Sequence, residues 1–325
     1  MAAEDQHHFI TGVAGFIGSQ LADFLLQEGA KVSGVDDFSL GCRDHLSEAA
    51  KSTRFKFFER DISEKDNAIG SLRAATAWGQ APDIIWHLAA NSEIAAGASD
   101  SSIDFKRTLL TTHVILDAAR IVGVKKVAFA STSAIYGERN DILGEDTGPF
   151  LPISNYGATK LASEALLSAA AETFLESVWI FRFPNVVGPR ATHGAIFDFV
   201  ARLKKRPKSL KVLGDGTQTK PYLHVSELID AMRYIVRTAN ERRNVFNIAP
   251  DEAGTKVAFM AEQVIARVSP GLTIAYTGGD RGWVGDVPRF RYSTERLRRL
   301  GWKPHMTSDQ AVLRAIDELA AAAGL

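Results

Sequence analysis

Over its first half the chain alternates short apolar runs of strand length with longer segments whose apolar positions recur at helical spacing. Residues 9–11 read as a strand running into a glycine turn, and a helix follows through Gln27, with Leu21, Phe24 and Leu25 at helical spacing. Strands are expected at 31–35, ending in Asp36 and Asp37, and at 55–58, closed by Asp61 and Ile62. Another at 84–88 is nearly all apolar, as a strand buried on both faces should be. Further strands are expected at 126–130 and 178–181, with long helices over 102–122 and 155–174. Strands alternating with helices predict right-handed crossovers and a doubly wound parallel α/β sheet. After Pro184 the pattern loosens. Short strands (211–213, 245–248, 273–276) mix with helices around 195–205, 226–239, 255–268 and 308–322. This part is read as a smaller C-terminal α/β lobe over the carboxyl ends of the sheet, with the substrate in the cleft. The expected division is 1–182 and 183–325, some segments of the second part returning to the first.

The first turn reads Thr11-Gly12-Val13-Ala14-Gly15-Phe16-Ile17-Gly18, a G-x-x-G-x-x-G spacing. Gly12 suits a tight turn, Gly15 lets backbone approach a pyrophosphate, and Gly18 lets helix pack on strand. The helix N-terminus that follows presents free N–H groups to phosphates. A glycine triplet alone is weak evidence. This one follows a strand and opens a helix, which makes the unit a Rossmann-like dinucleotide site. Asp36 ends the second strand where a carboxylate accepts the adenosine ribose hydroxyls and repels a 2′-phosphate, so NAD is expected rather than NADP. Asp37 adjoins it. Asp61 and Ile62 are expected to flank the adenine, and Leu88, Ala89 and Ala90 to pack beneath the cofactor.

Ser131-Thr132-Ser133 follow the fifth strand, and Tyr156 and Lys160 lie four apart on the next long helix, hence on one face. A free tyrosine, with a pKa of about 10, is a poor base at neutral pH. A nearby ammonium and a positive nicotinamide favour its phenolate. The pair then becomes an acid–base for an alcohol undergoing oxidation, with Thr132 bonded to the same substrate oxygen. A lone Y-x-x-x-K is common by chance; here it follows a cofactor motif and a Ser/Thr-rich strand end in the expected order.

Composition narrows the rest. At 325 residues and 46% hydrophobic, the chain can bury a large core. Lys+Arg and Asp+Glu balance at 38 each, which argues against nucleic acid as a partner. The short run Lys204, Lys205, Arg206, Lys208 reads as a solvated helix end. The single cysteine, Cys42, forms no intrachain disulfide and fits a reducing, cytoplasmic setting. The polar N-terminus is not read as a signal peptide, no stretch is apolar enough to span a bilayer, and the eight scattered histidines suggest no metal site. His87, ending a strand, is read as structural.

These motifs resemble the extended short-chain dehydrogenase/reductase superfamily, and within it the NAD-dependent nucleotide-sugar epimerase/dehydratase family, most like enzymes of the UDP-glucose 4-epimerase type. The similarity includes HLAA at 87–90, ASTSAIYG at 130–137, YGATK at 156–160 and FRFPNVVGPR at 181–190. It continues through VLGDGTQTKPYLHV at 212–225, VFNIAP at 245–250, GDRGWVGDVP at 279–288 and LGWKPHMTSDQAV at 300–312. The resemblance implies that NAD stays bound through turnover and that Tyr156 removes the C4 hydroxyl proton of a nucleotide sugar. Hydride passes to NAD, the 4-keto sugar swings about its diphosphate, and hydride returns to the other face. It also implies substrate contacts from Thr132, Ser133, Asn185, Lys220, Arg281 and Phe290, with UDP-glucose and UDP-galactose as substrates. A homodimer built on the helices at 102–122 and 155–174 is expected as well.

Several positions depart from the family pattern. Lys220 stands where arginine usually binds the diphosphate, giving a point charge and not a fork. Thr108 replaces a common asparagine, and Leu213 an aromatic that stacks on the base. Phe290, between Arg289 and Arg291, fills a position where small residues admit N-acetylated sugars, so plain hexoses are expected. Trp283 is read as either pocket lining or packing. Ala134 and Ser133 occupy positions where dehydratases and decarboxylases carry acids, which disfavours those reactions. A 4,6-dehydratase or 4-ketoreductase remains the alternative enzyme. A non-catalytic NAD-binding scaffold is the alternative from another class.

Overall fold

A computed structural model describes residues 6–139, 141–205, 207–279 and 291–325. The first part of the chain runs β1 (His7–Thr11), α1 (Phe16–Gln27), β2 (Lys31–Asp36), β3 (Phe55–Glu59), α2 (Lys65–Ala75) and β4 (Ile84–His87). Next come α3 (Ile94–Ser99), α4 (Ser101–Asp104), a π-helical turn (Phe105–Leu110), α5 (Thr111–Val122), β5 (Lys126–Ala130), α6 (Asn155–Thr173) and β6 (Ser177–Arg182). Then follow β7 (Asn185–Val187), α7 (Ala195–Lys204), β8 (Ser209–Val212), β9 (Thr219–Lys220), β10 (Tyr222–His224) and α8 (Val225–Thr238). The chain closes with β11 (Arg243–Asn247), β12 (Thr255–Lys256), α9 (Val257–Val268), β13 (Thr273–Tyr276), α10 (Glu295–Leu300) and α11 (Ser308–Ala323).

Two compact units emerge. The first comprises the chain up to Ile135 with Phe150–Arg182 and Ile235–Phe246; the second comprises Tyr136–Pro149, Phe183–Tyr234 and Asn247–Leu325.

In the first unit a seven-stranded sheet has the order β11-β6-β5-β4-β1-β2-β3. β1 runs parallel to β2 and β4, β2 to β3, β4 to β5, and β5 to β6. The registers align Phe9, Ile85, Val127 and Val178 across one face and Ile10, Trp86, Ala128 and Trp179 across the other. All eight are buried, so the strands are apolar at consecutive positions and not alternating. Helices α2, α5 and α6 close the first face with Leu72, Ile115 and Leu167 in one cluster.

Three elements differ from the sequence reading. The expected helix over 102–122 is α4, a π turn and α5. Thr111 and Thr112 hydroxyls donate to the carbonyls of Arg107 (2.9 Å) and Thr108 (2.8 Å), the back-bonding that distorts a helix. Residues 65–75, unassigned from the sequence, form α2, which buries only Ala68, Ser71, Leu72 and Ala75. The strand expected at 245–248 in the smaller lobe is β11, which edges the main sheet beside β6. Val178 N–H donates to Arg242 O (2.9 Å) and Asn244 Nδ2 to Val178 O (3.2 Å), tying the returning segment to the sheet.

The second unit packs α7, α9 and α11 around Phe199, Val264 and Ile316. β8 pairs parallel with β13, β7 parallel with β10, and β9 antiparallel with β12. Thr307 caps α11 with a reciprocal Gln310 bond, a capping box. Among the described residues no helix is long and apolar enough to cross a membrane, and no group of three or more acids, histidines or cysteines is placed to hold a metal.

Candidate active site

The glycine turn joins β1 to α1. Gly12 has φ +70°, and its N–H donates to Val35 O at 2.9 Å. A Cβ there would lie 2.9 Å from the Ala89 backbone, so only glycine lets the turn and the segment after β4 approach this closely. At Gly18 a Cβ would strike the Gly12 carbonyl oxygen, which fixes how α1 leaves the turn. α1 begins at Phe16 and Ile17, with no side-chain cap at Gly15 and no acid in its first turn. Its first N–H groups are thus unclaimed by side chains, and no carboxylate opposes an incoming anion.

Asp36, at the end of β2, is nearly buried. Its two oxygens accept N–H bonds from Ala14 (2.9 Å) and Phe38 (2.8 Å), and burial pushes its pKa up from the usual range. Each carboxylate oxygen keeps a lone pair for a ribose hydroxyl. Asp37 accepts from Ser39 N–H at 2.9 Å. Leu88 and Ala89 N–H groups donate to Thr11 Oγ1 (3.2 and 3.1 Å), which places 88–90 beside the turn. Asp61 accepts from Ser63 N–H and pairs with Lys106 at 3.1 Å, whereas the Ile62 side chain enters the core. The glycines, the bare helix start and Asp36 fit a dinucleotide.

His87 ends β4 fully buried and is a structural member of this network. Thr11 Oγ1, already accepting two N–H bonds, donates to its Nδ1 (2.8 Å), and Nε2–H donates to Thr112 Oγ1 (3.0 Å). Burial first, and Lys160 second, lower its pKa to about 3, so the ring is neutral.

Ser154 caps α6 by accepting from Gly157 N–H at 3.1 Å. Gly157 lets the helix start press on the turn after β5: a Cβ would sit 2.6 Å from Ala134 O. That contact brings Tyr156 close to Thr132, whose side chain acts to lower the phenol's pKa. Thr132 Oγ1 also accepts from Ala134 N–H at 3.1 Å. Lys160 is buried; its Nζ donates to Ala130 O at 2.5 Å, 4.7 Å from the Phe129 ring centroid and 5.9 Å from that of Tyr156. Ser133 is buried beside Thr132.

The sequence alone leads to the expectation of a phenol lowered by the nearby ammonium. Burial dominates and pushes Tyr156 up to about 12, opposed by the Thr132 side chain. Burial likewise lowers Lys160 to about 7, opposed by Glu164 and Asp104. Both groups are driven toward their neutral forms, so a phenolate here needs added positive charge.

In the second unit, Asn185 opens β7 exposed and Lys220 lies on β9, in register with Thr255. Arg281 and Phe290 lie outside the described residues, as do Trp283, Arg289 and Arg206. Leu213 is 45% exposed.

Buried polar groups near the pair went unread in the sequence. Asp104 accepts from Asn91 Nδ2 at 2.8 Å, and Glu164 meets Ser131 and Arg182. The available signal for Glu164 was its i+4 spacing from Lys160 on an already chosen helix face.

Comparison with known proteins agrees with this geometry. The chain is 29% identical over 318 residues to a UDP-glucose 4-epimerase of Mycolicibacterium smegmatis, covering 95% of this chain and 96% of that one. It is 31% identical over 229 residues to a UDP-glucuronate 4-epimerase of Thermodesulfobacterium geofontis, covering 68% and 69%. The crystal structure of a Thermus thermophilus UDP-glucose 4-epimerase in complex with NAD superimposes with a TM-score of 0.85 at 26% identity, over 98% of this chain and 100% of that one. Residues 8–249 match the family model described as NAD dependent epimerase/dehydratase family. With a seven-stranded sheet, a glycine turn and the Tyr156/Lys160 pair on one frame, the chain belongs to that family of NAD-dependent enzymes.

Proposed function

We propose that the protein interconverts UDP-hexoses at C4, with UDP-glucose and UDP-galactose as its substrate pair. The observation that carries this reading is the Thr132/Tyr156/Lys160 set, with Thr132 and Lys160 buried and Tyr156 half-buried, on the frame that also bears the glycine turn and Asp36. Gly12, Gly15 and the start of α1 at Phe16 and Ile17 hold the pyrophosphate, Asp36 the ribose, and Leu88, Ala89 and Ala90 support the dinucleotide from below. NAD, when bound, supplies a reversible hydride acceptor for C4.

Tyr156 takes the C4 hydroxyl proton in one direction and returns it in the other, so the phenol works as both base and acid. Thr132 orients the same oxygen through its hydroxyl. Lys160 in its ammonium form, together with the positive nicotinamide that NAD would supply, would favour the phenolate and offset the burial that holds Tyr156 at about 12. Ser133 lies one residue further along. Asn185 contacts the nucleotide sugar, Lys220 binds its diphosphate with Arg281 as a second charge, and Phe290 lines the sugar pocket. Ala134 and Ser133 offer no carboxylate, so loss of water or of a carboxyl group has no acid–base partner there. The reaction consumes no net oxidant or reductant. Two copies associate in the cytoplasm through the helices at 102–122 and 155–174, the first of which exposes Phe105 (55%) and Ile121 (45%).

The test is a proton NMR time course of the purified protein with UDP-galactose and no added cofactor. Growth of the UDP-glucose anomeric signal at constant total sugar is expected. Unchanged spectra in a sample shown to contain NAD would overturn the hexose assignment, and UDP-glucuronate, the substrate named for the Thermodesulfobacterium geofontis relative, becomes the next sugar.

A further inference from the structure

The proposed chemistry leaves one buried charge pair unused. Glu164 follows Lys160 by one helical turn on α6, and Arg182 ends β6. Both side chains are almost wholly buried, 7% and 5% exposed. Glu164 Oε2 accepts from Arg182 Nη2 at 2.7 Å, and Oε1 accepts from Arg182 Nε at 3.0 Å and from the Ser131 hydroxyl. The Arg182 guanidinium also lies 4.8 Å from the Phe150 ring centroid.

A buried ion pair contributes little net stability against apolar residues of equal volume. Its placement here is more informative. Three residues one helical turn apart on α6 each face one of three consecutive residues, the last of β5 and the two that follow it. Tyr156 meets Thr132, Lys160 meets Ala130, and Glu164 meets Ser131. Arg182 presents a planar fork with two parallel donors, which fixes the carboxylate in orientation. Ser131 is further held by its N–H bond to Phe181 O at 2.8 Å. The segment carrying Thr132 is thus stitched to the helix carrying Tyr156 and Lys160, and Glu164 is the stitch that touches no reacting group.

We propose that Glu164, held by Arg182, is a positioning residue: through Ser131 it sets Thr132 and Ala130 against Tyr156 and Lys160. This rests on the reading of Tyr156 and Lys160 as the acid–base pair. Its charge acts on Lys160 as well. The charged and titratable groups around Lys160 are Glu164, Asp104 from α4, Tyr156 and His87, and the two acids oppose the effect of burial.

The experiment compares the full-length NAD-loaded protein with Glu164→Gln and Ser131→Ala in sugar turnover. It also follows the titration of Lys160 by NMR of labelled lysine side chains, assigned with Lys160→Met. In both variants kcat falls roughly ten- to a hundredfold with KM within about twofold of the parent, as expected for a misplaced reacting pair. In Glu164→Gln the Lys160 midpoint drops by about one pH unit, whereas Ser131→Ala leaves it in place. Parental kcat and an unmoved Lys160 midpoint in a folded Glu164→Gln protein would overturn the proposal. Should Glu164→Gln fail to fold because Arg182 loses its carboxylate partner, the double variant Glu164→Leu/Arg182→Leu decides. A folded double variant with lowered kcat supports positioning, and parental kcat refutes it. The lysine titration needs no substrate. A parent protein inactive on every sugar, with the midpoint shift intact, therefore counts against the functional reading alone.

Discussion

Lys160 donates a 2.5 Å hydrogen bond to the carbonyl oxygen of Ala130, at the very end of a strand whose next residues include Thr132. The lysine therefore serves as a strut between helix and strand as well as a charge. Burial lowers its pKa from 10.5 to about 7. Between those values the folded state binds fewer protons than the unfolded chain, so this group makes stability rise with pH across that window, and its cost is fully present below pH 7. From pH 7 to pH 9 it contributes about 2 kcal/mol of that rise. Urea unfolding at the two pH values is expected to show the increment in the parent and not in Lys160→Met. Equal increments would contradict the assignment.

Tyr156→Phe removes only a hydroxyl. Turnover is expected to fall roughly 10²–10⁴-fold, the range for loss of a positioned acid–base group. NAD content, read by absorbance after denaturation, and the far-ultraviolet circular dichroism should match the parent. A variant that turns over at the parental rate would remove Tyr156 from the chemistry.

His87 sets the acid limit. Its pKa is about 3 in the fold and 6.5 in an exposed chain, so the unfolded state binds the extra proton between those values. Stability from this group is complete above pH 6.5 and is lost as pH falls. Lowering the pH from 6.5 to 4.5 costs about 2 kcal/mol at this site. His7, lowered to about 4 chiefly by burial, adds to the same trend. His87→Gln should flatten the dependence of the urea midpoint over this range; an unchanged slope would show that the acid loss arises elsewhere.

Gly12→Ala places a methyl group 2.9 Å from the Ala89 backbone at a φ of +70°. The strain is about 1–3 kcal/mol, and the turn must open to relieve it. Calorimetric titration with NAD should show at least roughly tenfold weaker binding, since 1.4 kcal/mol corresponds to that factor. Unaltered affinity would place the pyrophosphate elsewhere.

Much of the first unit was legible because a strand buried on both faces announces itself as a compact apolar run, as at Ile84–His87. The Tyr156/Lys160 pair was legible because spacing on one helix is a local quantity. What escaped was set by distant partners. α2 reads as polar, since only one narrow stripe is covered. β11 finds β6 across more than sixty residues, as in the Asn244 to Val178 bond. Glu164 takes its meaning from Ser131 and Arg182, and neither pairing follows from any periodicity. The opposing pKa directions of Tyr156 and Lys160 depend on burial depth, which a pattern of residue types does not give.

The late return of β11 bears on how the chain is made. A ribosome that has reached Arg182 has delivered six of the seven strands of the main sheet, while the flank of β6 lacks its neighbour until Arg243–Asn247 is synthesised. At 5–20 residues per second, that flank stays open for roughly 3–12 s of translation. An unpaired flank is a template for joining other chains. The nascent protein is therefore most exposed to aggregation in that interval, and a chain terminated at Arg182 keeps the open flank permanently.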